Sequence, residues 1–222
     1  MPNETFARLR VLRDEERSSA ALNMAIDEAL LLSARDPVLR FYGWRGPSIS
    51  FGYFGCYADV VAEEAQCEIV RRWTGGGVVW HGTDLTYSVI LPRGSVSEMP
   101  SPRAAYEKIH SAMREALRGQ LDAILVEKDS PKISEACFAN PVFADVLLDG
   151  RKIAGAAQRR SRAGLLHQGS IQCEDLPDDF SESFARRLGG DFVTMGLDVE
   201  VKERARELAE AKYGTAEWLR RR

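Results

Sequence analysis

The chain has 222 residues, 45% of them hydrophobic and 28% charged, with a formal net charge of −3. This is ordinary globular composition with length enough for a sizeable core. The mild acidity argues against a nucleic-acid binder, and no run of about 18 apolar residues offers a membrane span.

Residues 18–35 read as a helix, with Ser18 or Ser19 as N-cap and Leu22, Ile26, Ala29 and Leu30 at helical spacing. PVLRFYGW (37–44) and SISFGYF (48–54) read as strands around the turn Arg45-Gly46-Pro47, and a short helix is expected over 58–65. CEIVRRW (67–73) is a strand running into Thr74-Gly75-Gly76-Gly77, and DLTYSVILP (84–92) is the strongest strand in the chain. Residues 101–119 form an amphipathic helix, with Pro102 in its first turn and Gly119 past its end. ISEACFANP (133–141) is loop-like. FADVLLDG (143–150) and KIAGAAQRR (152–160) make a hairpin about Asp149-Gly150. LLHQGSIQC (165–173) is a further strand, and 178–188 and the charged segment from about 200 onward read as helices. The pattern predicts an α+β fold with mixed, mostly antiparallel sheets packed with helices.

Two stretches carry chemistry. Three successive glycines after a strand let backbone amides approach a ligand closely, and such a nest suits a phosphate, carboxylate or oxyanion. Arg71 and Arg72 before the run add positive charge, and His81 after it adds a titratable donor. A glycine-rich turn between two strands is the plain structural reading. Lys152 is the second feature. An isolated lysine is ordinarily a solvated surface charge, but the small-residue run Gly155-Ala156-Ala157 just beyond it points to close approach of a ligand. Cys56, Cys67, Cys137 and Cys173 include no CxxC pair, which argues against zinc. MPNETFARLRVLRDEE at the N-terminus lacks the apolar run of a signal peptide, so a cytoplasmic protein with free thiols is expected.

Three segments, in order, resemble one family: LNMAIDEALL (22–31) with RFYGWRGPSISFGYF (40–54), RRWTGGGVVWHGTDLTYSVILP (71–92), and DGRKIAGAAQRRSRAGLLHQGSI (149–171). The family is that of lipoate–protein ligase A, lipoyl/octanoyl transferases and biotin–protein ligase catalytic domains. The match covers about 20–172. It implies a class II biotin/lipoate ligase-like catalytic domain occupying 1–222, with a helical C-terminal segment over 176–222 and no room for a full accessory domain. By resemblance, Arg72, Gly75, Gly76, Gly77 and His81 line the acyl pocket, and Lys152 holds the acyl carbonyl and stabilises the oxyanion formed on attack. Asp145 falls where the family has an acidic residue, and Gly155 lies where the ligand approaches. Gln168 stands where many ligases have histidine. His167 is one residue earlier, an offset that exchanges strand faces, so it inherits no role; His110 is given none either.

Two chemistries share such a scaffold. A ligase uses ATP and magnesium to make an acyl-adenylate. A transferase takes octanoyl from an acyl-carrier-protein thioester, already activated, through an enzyme cysteine, and needs no nucleotide or metal. Cys137-Phe138, Pro141, Asp145 and Gly150-Arg151-Lys152 resemble the cysteine-using octanoyltransferases, and a thiol beside a lysine gains thiolate character. Gly77 points to ligases instead, since those transferases usually carry arginine there. A biotin ligase is a weaker alternative. The expected function is octanoyl or lipoyl transfer to a lysine of a lipoyl domain, of a 2-oxoacid dehydrogenase or a glycine-cleavage carrier protein. An acceptor surface of that kind, usually acidic, is expected to meet Arg159, Arg160 and Arg162, with neither nucleic acid nor membrane as a partner.

Overall fold

The computed structural model describes residues 6–129 and 137–221. The strands are β1 (Leu9–Arg13), β2 (Val38–Tyr42), β3 (Ser48–Phe51), β4 (Glu68–Arg71), β5 (Val79–His81), β6 (Leu85–Pro92), β7 (Ile124–Leu125), β8 (Val146–Leu148), β9 (Arg151–Arg160), β10 (Gly164–Ile171) and β11 (Phe192–Met195). The helices are α1 (Ala20–Ser33), α2 (Pro102–Leu117), α3 (Phe180–Leu188), α4 (Val199–Leu208) and α5 (Ala216–Leu219). Eight strands form one sheet in the order β11-β1-β2-β6-β10-β9-β8-β7, and β4-β3-β5 form a second. Among the described strands only the pairs β1–β2, β1–β11 and β3–β4 are parallel, so the mixed, mostly antiparallel α+β expectation holds.

Each face of the large sheet has its own core. Tyr87, Val89, Leu91 and Leu165 pack with α2 and α3 on one side. On the other, Ile90 and Leu166 pack with α1 and α4. α1 is apolar nearly all round because it is sandwiched between the sheet and α4. The Ser19 side chain caps it, accepting from the Leu22 amide. Ser101 does the same for α2, accepting from Ala104, with Pro102 at the first helical position.

The hairpin turn Asp149-Gly150 has φ of 51° and 75°, as a two-residue turn with positive φ at both positions requires. Other expectations need correction. Residues 58–65 form two short 3-10 turns, Tyr57–Asp59 and Val61–Glu63, rather than an α-helix. The C-terminal segment is not wholly helical, since β11 pairs in parallel with β1 at the sheet edge. β1 itself lies in the charged N-terminal stretch, where no strand is expected from the sequence. Its Leu9 and Val11 pack into the core on one face and Leu12 into the core on the other, so the arginines among them hide a strand with apolar residues buried on both faces.

Candidate active site

A cleft opens between the two sheets. Ser50, Val79 and His81 line it from the small sheet, and Thr86, Gly155, Ala157, Gln168 and Ser170 from the large one, with Met24, Tyr42 and Trp44 completing the wall. The empty space, its open mouth included, amounts to about 390 Å³ and is narrow throughout. The cleft is a narrow slot, lined mainly by apolar surface.

Lys152 lies against Gly155, one of the residues lining the slot. Its Nζ lies 2.7 Å from Asp145 Oδ2, and both side chains are buried. Tyr106 donates to Asp145 Oδ1 at 2.5 Å, and the Val142 amide donates to Oδ2 at 2.7 Å. The Tyr106 hydroxyl in turn accepts from the Ala156 amide at 2.8 Å. Burial and the Asp145 carboxylate push the Tyr106 phenol well above its usual pKa, so it remains a donor. Gly155 makes room for the amine. A methyl group there would meet Lys152 Cε at 2.5 Å and Nζ at 2.7 Å.

The glycine bend approaches the same strand. Gly76 has φ of 87°, and a methyl group on it would stand 3.2 Å from the Ala157 side chain. Gly52 is pressed against the bend from behind, with no space for a side chain beside Gly76 O. Arg72 is buried beneath, donating to Gly75 O at 3.0 Å, to Gly77 O at 2.8 Å and to Ser50 Oγ at 2.7 Å. The expectation of an amide nest flanked by two cationic arginines is therefore corrected in two respects. Gly76 takes positive φ as a nest requires, but the carbonyls of Gly75 and Gly77 face Arg72. Arg71 points elsewhere, donating to the carbonyls of Tyr53, Gly55, Leu219 and Arg221, so it clasps the C-terminal segment onto the strand.

His81 is an acceptor toward the slot rather than a charged donor. Its Nδ1 lies 2.8 Å from Asp84 Oδ2, and its Nε2 lies 2.6 Å from Ser50 Oγ. Burial lowers its pKa below the usual 6.5 despite Asp84. The ring stacks on Trp44 at 3.9 Å between centroids. Asp84 is further held by the Gly82 amide, Thr86 and Ser170. The Ser50 hydroxyl, which donates to His81 and accepts from Arg72, thus orients the arginine that shapes the bend.

Gln168 ties three elements together, accepting from Thr74 Oγ1 at 2.7 Å and donating to Asp27 Oδ2 at 2.7 Å. His167 faces the opposite side, buried between Tyr87 and Gln158, as the strand offset requires. Arg159 and Arg160, expected to meet an acceptor surface, are both partly buried. Arg159 stacks over Tyr53 and Trp73, and Arg160 donates to Met99 O.

The backbone turn Cys137–Ala139 is described and packs against β9; the Cys137 thiol lies outside the described side chains. The neighbouring Phe138 ring centroid stands 5.3 Å from Lys152 Nζ. Sequence reasoning missed Tyr106 and Ser50, since neither carries a local signal. Tyr106 reads as one more amphipathic-helix residue, and Ser50 as an alternating strand residue.

The family model of the lipoyl protein ligase A/B catalytic domain matches residues 19–201. Octanoyltransferase LipM of Oceanobacillus iheyensis is 39% identical over 164 residues, covering 68% of this chain and 59% of that protein, so the alignment spans less than two thirds of that relative. Octanoyltransferase LipM of Moorella thermoacetica is 30% identical over 279 residues, covering the whole of both. Among solved structures, lipoate-protein ligase A bound with ATP superposes with a TM-score of 0.75 at 22% identity, covering 96% of this chain and 98% of that one. A bi-partite lipoate protein ligase from Thermoplasma acidophilum superposes with a TM-score of 0.70 at 22% identity, covering 96% and 95%. At such identities the superpositions establish the shared fold. The chain belongs to the lipoyl protein ligase A/B catalytic-domain family.

Proposed function

We propose that the protein is an acyltransferase that carries an octanoyl group from an acyl-carrier-protein thioester, through Cys137, to a lysine of a lipoyl domain. The observation that supports this most directly is the position of Phe138 against Lys152 Nζ, since it brings the turn bearing Cys137 to the buried ion pair that lies against Gly155 beside the apolar slot. The Cys137 thiolate attacks the donor carbonyl, the oxyanion forms opposite Lys152, and on its collapse the carrier sulfur leaves as a thiolate that takes a proton from solvent. The acceptor amine then attacks the enzyme thioester, gives one proton to solvent, and releases the Cys137 thiolate. Asp145, held by Tyr106 and Val142, keeps the Lys152 amine aimed across Gly155. Arg72 and the 75–77 bend close the slot over the chain. The donor is already activated, so neither ATP nor a metal is consumed. The similarity to proteins named octanoyltransferase favours this chemistry over the ATP-dependent lipoate ligase that shares the fold. The acceptors are lipoyl domains of 2-oxoacid dehydrogenases or the glycine-cleavage carrier, and the reaction is placed in the cytoplasm.

The intact mass of a lipoyl domain incubated with enzyme decides between the chemistries. The domain gains one octanoyl group from octanoyl-acyl-carrier protein without ATP, and Cys137→Ala abolishes the gain. Unchanged transfer by Cys137→Ala removes the acyl-enzyme step. Modification only with ATP and free lipoate makes the protein a ligase.

A further inference from the structure

We infer that His110 is a positioning residue: from the face of the sheet opposite the slot, it clamps Ala144 in a left-handed conformation and so fixes the next residue, Asp145, against Lys152. The inference rests on the acyl-transfer reading for the meaning of Lys152, but its geometry stands by itself.

Ala144 has φ of 63°, one of two non-glycine residues with positive φ among those described. Such a conformation persists only where surrounding contacts over-determine it. Ala144 is buried and held from both sides. Its amide donates to Val126 O at 2.7 Å, and its carbonyl accepts from His110 Nδ1 at 2.6 Å. One helical turn before His110 on α2, Tyr106 donates to the Asp145 carboxylate, and the two rings lie 4.3 Å apart between centroids. α2 therefore grips both residues of the Ala144–Asp145 corner.

Behind His110 runs a buried array whose direction is fixed from one end. A carbonyl only accepts, so His110 Nδ1 carries its hydrogen. Burial lowers the His110 pKa to about 4, so the ring is neutral and Nε2 is an acceptor. Tyr87 must then donate to it, across 2.8 Å. The Tyr87 oxygen in turn accepts from His167 Nε2 at 3.1 Å, which leaves His167 Nδ1 to accept from the Gln158 amide nitrogen at 3.0 Å. The cost of this polarity is visible at the far end, where Gln158 Oε1 is buried without a protein partner. Rotating that amide to satisfy its oxygen would reverse every donor down to Ala144 O, which has no hydrogen to give. The array thus has one neutral arrangement, and that arrangement ends on the strained residue beside the lysine's partner.

Three variants test the clamp. In His110→Asn the side-chain amide nitrogen occupies the place of Nδ1 and keeps the bond to Ala144. In His110→Phe the ring volume stays and the donor is lost. His110→Phe/Ala144→Gly removes the need for a clamp, since glycine takes positive φ unaided. Displacement of the lysine partner is expected to lower kcat of octanoyl transfer by about 100-fold in His110→Phe with KM little changed. His110→Asn stays near wild type, and the added Ala144→Gly restores most of the lost rate. Equal kcat for His110→Phe and wild type, or no recovery in the double variant, overturns the proposal, and a poorly folded His110→Phe is judged by that same recovery. A readout independent of activity is the imidazole nitrogen NMR spectrum of the wild-type protein, expected to show His110 as the Nδ1–H and His167 as the Nε2–H tautomer; the reverse assignment refutes the array. Should the wild type transfer no octanoyl group while the tautomers are as stated, the acyl-transfer reading fails and the clamp survives.

Discussion

Gly155→Ala isolates the contribution of Lys152 geometry without touching a charged group. The added methyl would lie 2.5 Å from Lys152 Cε, 2.7 Å from Nζ and 3.1 Å from Asp145 Oδ1. Non-bonded carbons rest at about 3.5–4.0 Å, so the end of the lysine must retreat by about 1 Å. Were it free it would do so at little cost, but it is buried in an ion pair whose carboxylate is pinned by Tyr106 and Val142. A misplacement of this size costs about 100-fold in rate. If the amine instead leaves the pocket, Asp145 remains buried without its cation, a loss of roughly 3–5 kcal/mol. The assay is steady-state octanoyl transfer together with thermal melting, and Gly82→Ala is the control because nothing lies within 4 Å of its added methyl. A Gly155→Ala variant with wild-type kcat and melting temperature would falsify the account of how Lys152 is held.

The glycine bend yields a second contrast: Gly76→Ala is expected to destabilise by about 1–3 kcal/mol through its positive φ and to slow transfer, while Gly75→Ala, which meets nothing, folds normally, and similar melting curves for both would contradict this. Stability also depends on pH through the buried imidazoles. His81, His110 and His167 all have pKa values below the ordinary 6.5 because burial disfavours their charged forms. The unfolded chain therefore binds protons that the folded one does not, and stability falls as pH drops below about 6.5. For His110, displaced to about 4, the loss at the bottom of that window is of order 3 kcal/mol. Urea midpoints at pH 7.5, 6 and 5 should decline steadily, and a flat series rules out neutral buried histidines.

Much of the architecture is legible in the amino-acid order because it depends on local patterns. A serine cap at 18 or 19, Pro102 in the first turn of α2, the Asp149-Gly150 turn and the long strand over 84–92 carry their own signals, and the three ordered motifs identify the family. Weak or diluted patterns hide the rest. β1 is interrupted by arginines, β7 has two residues, and β11 is a short edge strand that exists because β1 offers it a partner.

Sequence alone supplied the candidates for the site: Lys152, Asp145, the arginine and glycine segment, His81, and a cysteine–phenylalanine turn ahead of the lysine. Tertiary structure decided which partners each of them meets. It divided Arg71 from Arg72, sending one to clasp the C-terminal segment and the other beneath the bend. It also drew Tyr106, His110 and His167 from a helix and a strand into the support of one corner. The physical reason is that a side chain's role follows from which partners satisfy it once water is excluded, and those partners lie up to 150 residues away in the chain, beyond the reach of any local pattern.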